Sequence, residues 1–344
     1  MTLTTGPVMS TEPPRRSRAA ALWEDHGRRA VVITIAALVA LVVSRAAPLA
    51  GPLLVALLLG AVVTNAPRLG PGFLGRSPRM DKLFLRAGIV LLGLKVVFAD
   101  VLALGASGLT VVLVTVAVTF ALTHWIGGLL GVPLELRTLI AAGFSICGAA
   151  AIAAVESSVR AKSKDVAVAV ALVTVFGSVM IGVVPALGGL LGLSPTQMAV
   201  WAGASVHEVA QVVATASVIG GGAAVVATAM TVKLARVVLL APVQVLSARL
   251  CDQEAGARRG PVVPTFVVGF LVAVAVRSTG VLSAEVLAVA SDLTTVLLAA
   301  AMFGLGTNLV WRSLWPLPIR AVLLGTASTL VAATTSLVLV ATLV

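Results

Sequence analysis

From residue 30 to its end the chain is a succession of apolar runs cut by short polar or glycine-rich turns. Most runs approach or exceed the roughly 20 residues that a membrane-crossing helix needs. They are continuous rather than alternating, which predicts helices and argues against a β-barrel. The expected segments cover 30–44, 48–64, 83–104, 107–130, 134–159, 166–191, 195–220, 223–248, 264–276, 293–310 and 319–344. The fold class read from this pattern is an all-α polytopic membrane protein of about 10–11 segments. Residues 30–344 read as one transmembrane domain. Residues 1–29, with Arg15, Arg16, Arg18, Arg28 and Arg29, read as a disordered basic cytoplasmic tail.

Two runs are interrupted in the middle. One holds Gly143-Phe144-Ser145-Ile146-Cys147-Gly148-Ala149-Ala150; the other holds Gly203-Ala204-Ser205-Val206-His207-Glu208-Val209-Ala210-Gln211. Gly143/Gly203, Ser145/Ser205, Ala150/Ala210 and Ala154/Ala214 align at a constant offset of 60 residues, which suggests a duplicated element. A second, fainter pair links Leu92-Gly93-Leu94-Lys95 with Phe303-Gly304-Leu305-Gly306.

Charge placement bears on how these runs cross. Basic residues of membrane proteins collect in cytoplasmic loops. Arg160, Lys162 and Lys164 follow the first interrupted run, and the chargeless turn 192–196 precedes the second. Full crossing by the first run would put the cations outside and the neutral turn inside. A bend at 145–148 that returns the chain to its starting face reverses both placements. The expectation is therefore a pair of broken, re-entrant helices near 143–150 and 203–211, entering from opposite faces as an inverted repeat. The competing reading is a broken helix that crosses fully, with the cations tolerated outside.

Of the 344 residues, 59% are hydrophobic and 11% charged, against about 25% charged in soluble domains. The net charge of +11 thus reads as basic cytoplasmic loops, not as nucleic-acid binding. Cys147 and Cys251 give no basis for a disulfide framework or a metal site. No P-loop is present, which argues against ATP hydrolysis by this chain. His207-Glu208-Val209-Ala210-Gln211 has Gln where a two-histidine zinc helix needs its second histidine. No cofactor, metal or enzymatic activity is expected, an intramembrane enzyme using His207 and Glu208 being the remote alternative.

Polar side chains at membrane depth are costly and mark candidate sites. His207, Glu208 and Gln211 are read as a proton-coupling group, since histidine titrates near neutral pH. The competing reading is a hydrogen bond that packs helices together. Lys233 and Arg236 lie three apart on one helix face and could neutralise an oxyanion. They could equally pair with Glu208 or another buried carboxylate, or snorkel toward an end of their own segment. Ser145, Gly148 and Ser205 mark the helix breaks, where free N–H groups suit an anion. Lys95 is a further candidate cation. The expected ligands are a small inorganic or organic anion and the lipid bilayer; a homo-oligomer is compatible with the sequence.

Ser145-Ile146-Cys147-Gly148, His207 to Ala214, Val232-Lys233-Leu234-Ala235-Arg236-Val237 and Leu240-Ala241-Pro242-Val243 resemble, in order and spacing, the sulfate-exporter (YeiH-like) family of bacterial inner-membrane proteins. The resemblance spans residues 30–344. It implies a multi-pass inner-membrane secondary transporter, related to folds with inverted repeats and crossed broken helices. It supplies no ligand list, so the site residues rest on chemistry alone. A sodium- or proton-coupled carrier of another organic anion is the alternative.

Overall fold

A computed structural model describes residues 31–43, 52–66, 78–220, 222–255, 265–307 and 318–344. The basic tail over 1–29 and the loop residues Arg68, Arg76, Arg258 and Arg259 lie outside the described residues. The described residues form helices joined by short turns, with no strand.

The elements are α1 (Val31–Val43), α2 (Pro52–Asn65), α3 (Pro78–Leu92), a 3₁₀ turn (Gly93–Lys95) and α4 (Phe98–Ala103). There follow α5 (Gly105–Leu129), α6 (Leu134–Ser145), α7 (Ala149–Val159) and α8 (Ser163–Leu190). Next come α9 (Pro195–Ser205), α10 (Val209–Ile219), α11 (Gly222–Val238) and α12 (Leu240–Ala255). The last are α13 (Thr265–Ser278), α14 (Ala284–Gly306) and α15 (Ile319–Leu343). Among the described residues, five stretches are long and apolar enough to cross a membrane: 105–129, 163–190, 222–251, 284–306 and 319–343. The eleven apolar runs of the sequence each correspond to one element or to one interrupted set.

Local chemistry explains where helices start and stop. Pro242 lacks an N–H and its ring crowds the carbonyl four residues back, that of Val238, where α11 ends. Ser194 caps α9: its Oγ accepts from Gln197 N–H at 3.2 Å, while Gln197 Oε1 accepts from Ser194 N–H at 2.9 Å. Helix α14 begins at Ala284, ahead of the apolar run expected from 293, because Ser283 Oγ caps it by accepting from Val286 N–H at 3.4 Å.

The two interrupted runs fold back on themselves. Ile152 of α7 lies against Gly143 of α6, where a Cβ would stand 2.7 Å from Ile152 Cδ1. Nine residues of continuous helix would separate these positions by about 13.5 Å. Helix α12 lies along both arms: Gln244 Nε2 donates to Ala154 O and Ser158 Oγ, both at 3.2 Å, while Cys251 Sγ is 4.0 Å from Thr138 Oγ1. The second pair lies along the far half of α8, with Met198 against Gly188 and Gln211 against Gly177. Because α7 leads into the start of α8 and α9 follows its end, the hairpins approach from opposite ends of a 28-residue helix. This is the re-entrant, inverted arrangement expected from the charge pattern.

Around the hairpins the helices fall into two groups. Helix α14 packs on α2 and α3, and α13 packs on α3 and its 3₁₀ turn; α5–α12 and α15 pack mainly among themselves. Gly60 and Gly306 let the backbones of α2 and α14 touch, since a Cβ at either would strike the partner's main chain.

Candidate functional site

The two hairpin tips meet. Helices α6 and α9 end at Ser145 and Ser205, α7 and α10 restart at Ala149 and Val209, and they finish at Val159 and Ile219. All three boundaries keep the offset of 60 residues seen in the sequence. The tips differ in backbone. Gly148 takes φ +76° and ψ −131°, whereas Glu208 is extended at φ −108° and ψ 152°. A Cβ on Gly148 would also stand 2.6 Å from Glu208 Cγ, so this position needs glycine for conformation and for space.

The last carbonyls of α6 and α9 have no partner within their own helices. Lys233 and Arg236, side by side on α11, supply the donors. Lys233 Nζ donates to Ile146 O and to Val206 O, each at 2.8 Å, and these acceptors are again 60 residues apart. Arg236 Nε and Nη2 donate to Ser145 O at 3.0 and 2.8 Å, and Nη2 also reaches Phe144 O at 2.9 Å. Its Nη1 donates to Ala204 O at 2.6 Å, with Gly203 O and Val206 O farther off at 3.3 Å. Both side chains are fully buried, and their cations stand against the partial negative charges of two helix C-termini. The pair clamps one hairpin to the other.

The other candidates fall into two sets. His207 and Gln211 are buried and engaged. His207 Nε2 is 3.2 Å from Thr329 Oγ1, and its ring lies 4.5 Å from that of Phe144. Gln211 accepts from Glu208 N–H at 3.0 Å and donates to Thr174 O at 3.0 Å, tying α10 to α8. Ser145 and Ser205 turn their hydroxyls back to Ala142 O and Trp201 O, at 3.3 and 2.7 Å. Of the three residues read from the sequence as a proton-coupling group, Glu208 alone reaches open space. Its side chain packs on Gly148, one residue before α7 begins, and its carboxylate lies 3.4 Å from Thr174 Oγ1.

That space is a cavity of about 520 Å³ between the two groups of helices. One wall carries Cys147, Ala149 and Ala150 at the start of α7, with Glu208, Val209 and Ala210 at the start of α10. The opposite wall carries Lys95 of the 3₁₀ turn, Arg277 of α13 and Ser291, Thr294 and Thr295 of α14. Lys233, Arg236, Ser145, Gly148, Ser205, His207 and Gln211 do not line it. Arg277 is not among the candidates read from the sequence; an arginine closing the apolar run 264–276 is the signal that points to it.

A charge tally at the tips favours an anion. The clamp brings two positive charges and Glu208 one negative. The two C-termini contribute about −0.5 each and the two N-termini about +0.5 each, for a sum of roughly +1 before Lys95 and Arg277 are counted. Asp292, exposed on α14, acts electrostatically on Lys95 from outside the cavity.

Fold and site together define a multi-pass α-helical membrane protein built on two opposed, interrupted helices. The chain belongs to the family described as Conserved hypothetical protein 698, whose model matches residues 30–325. It is 41% identical to a UPF0324 membrane protein of Corynebacterium glutamicum, over 94% of both chains. It is 40% identical to a UPF0324 membrane protein of Pseudomonas aeruginosa, over 74% of this chain and 75% of that one. Identity to the UPF0324 inner membrane protein YeiH of Escherichia coli is 36%, over 74% of this chain and 75% of that one. No solved structure matches. The YeiH-like resemblance of the sequence blocks is thereby borne out at the level of the family.

Proposed function

We propose that the protein is a secondary transporter that moves a small anion across the bacterial inner membrane by alternating access, with its N-terminus cytoplasmic. One observation carries this reading: two half-helix N-termini and two cations converge on one cavity between two groups of helices. Opposed interrupted helices meeting near mid-membrane are how many carriers build a substrate site. Helix N-termini and Lys or Arg side chains both favour negative charge. The family resemblance adds sulfate or a sulfur-containing acid as the first substrates to try.

Glu208 is the proposed coupling group. Among the described residues it is the one carboxylate lining the cavity, and it sits beside the start of α7, whose free N–H groups an anionic substrate would also seek. Protonation would remove a repelling charge beside those N–H groups. Proteoliposomes loaded with labelled sulfate or an organic sulfonate test both parts of the reading. Wild-type protein should carry label faster under a pH gradient than without one. Glu208→Gln should lose the pH-driven component and retain exchange at equal pH. No transport of any anion by folded protein would reject the transporter reading; full pH-driven transport by Glu208→Gln would reject the role of Glu208 alone.

A further inference from the structure

The cavity is large and mostly hydrocarbon. Its lining is dominated by aliphatic and methionine side chains, including Leu92, Leu94, Met230, Leu234, Leu287 and Leu298. Its volume of about 520 Å³ lies within the 300–1,000 Å³ typical of pockets for organic ligands. It equals the liquid volume of roughly 17 water molecules, several times what a five-atom oxyanion occupies. The cavity is also long. Leu287, Ser291, Thr294, Thr295 and Leu298 all line it along α14, and eleven helical residues span about 16 Å.

Its polar groups are unevenly placed. Lys95 and Arg277 are half-buried on neighbouring elements, because the 3₁₀ turn packs on α13 with Gly93 against the Phe270 carbonyl and Val274. Arg277 lies one turn beyond Val274. Facing them is Glu208, a group that repels a second negative charge. A bare tetrahedral oxyanion held at these cations would leave most of the leucine-lined space without a partner, and such a wall gives it none of the donors that replace its water. An anion carrying an apolar chain fits both parts of the lining.

Resting on the reading of this cavity as an anion site, we infer that its substrate is an amphiphilic organic anion, a sulfonate or carboxylate with an apolar body of several carbons, rather than inorganic sulfate. The acidic head meets Lys95 and Arg277, and the body lies along α14 and the Met230–Leu234 face of α11. Arg offers a fork that matches two oxygens of a sulfonate or carboxylate, while Lys acts as a point charge.

The test is a binding series on full-length protein in lipid nanodiscs, read by titration calorimetry. The probes are sulfate, methanesulfonate, butanesulfonate, hexanesulfonate and, as the uncharged control, 1-hexanol. Burial of each added methylene contributes up to about fourfold in affinity. The inference expects hexanesulfonate to bind at least about 30-fold more tightly than methanesulfonate, allowing for incomplete burial. It also expects hexanol to bind far more weakly than hexanesulfonate. Arg277→Gln should weaken the whole sulfonate series, and Leu234→Gln should weaken hexanesulfonate more than methanesulfonate. If Leu234→Gln does not fold, Leu287→Gln makes the same comparison on the opposite wall. Sulfate binding as tightly as hexanesulfonate would overturn the amphiphilic substrate and leave the anion site standing. Hexanol binding as tightly as hexanesulfonate, or no anion binding at all, would overturn the anion site and this inference with it.

Discussion

Arg236→Lys separates a clamp from a substrate contact, because it keeps the charge and removes the fork. In the native protein one guanidinium holds both hairpins: Ser145 O and Phe144 O on one side at 2.8–3.0 Å, and Ala204 O on the other at 2.6 Å. A lysine ammonium at the same place can serve one helix end well, leaving about two charge-assisted bonds unmade. At about 1.5–3 kcal/mol each, the loss would be roughly 3–6 kcal/mol. Hydrogen bonds between membrane helices measure lower, averaging about 0.6 kcal/mol, because the unfolded chain in the bilayer also finds partners. The working expectation is therefore a loss of about 2 kcal/mol. Reversible unfolding in mixed micelles, followed by circular dichroism, reads this loss directly. Anion titration on the folded fraction provides the second measurement. Affinity there should change less than about threefold, a contribution under about 0.7 kcal/mol, as Arg236 does not line the cavity. An unchanged unfolding midpoint with a loss of anion affinity of about tenfold would refute the clamp and return Arg236 to the substrate site.

The same geometry makes two further expectations testable. In a background without Cys147 and Cys251, a cysteine at Ser163 should resist a membrane-impermeant thiol reagent in intact cells, and one at Ser194 should react; labelling at Ser163 from outside would refute the proposed orientation. Gly148→Ala places a methyl group on positive-φ backbone and 2.6 Å from Glu208 Cγ, so it should lower stability by about 1–3 kcal/mol and shift the pH dependence of transport. Wild-type stability and pH profile in that variant would show that the tip tolerates a side chain and does not fix Glu208.

Much of the architecture is legible along the chain because the bilayer imposes local rules. A helix at membrane depth must satisfy its own backbone, so apolar length marks each segment, and small or polar residues mark where it can break. Ser145–Gly148 and Ser205–Glu208 are readable on those grounds, and the offset of 60 reappears in helix ends that the sequence pattern alone only suggests. Charge bias chooses between crossing and returning for the same reason: loop cations follow the positive-inside rule one loop at a time.

The destinations of the polar side chains are not legible in this way. A buried cation requires acceptors, and the sequence leaves Lys233 and Arg236 open to an anion, to Glu208 or another buried carboxylate, or to snorkelling toward an end of their own segment; the carbonyls of two other helices are not among those readings. Only the crossing of α11 behind both hairpin tips brings Ile146 O and Val206 O to one ammonium. The same packing turns Glu208 into the cavity while His207, its neighbour, goes to Thr329 and Phe144. It also sets Lys95 and Arg277, far apart in the chain, on one wall. Periodicity fixes which residues leave the water, because burial depends on each segment's own surface. Which groups then meet depends on how separate segments cross, and that is decided by the tertiary structure.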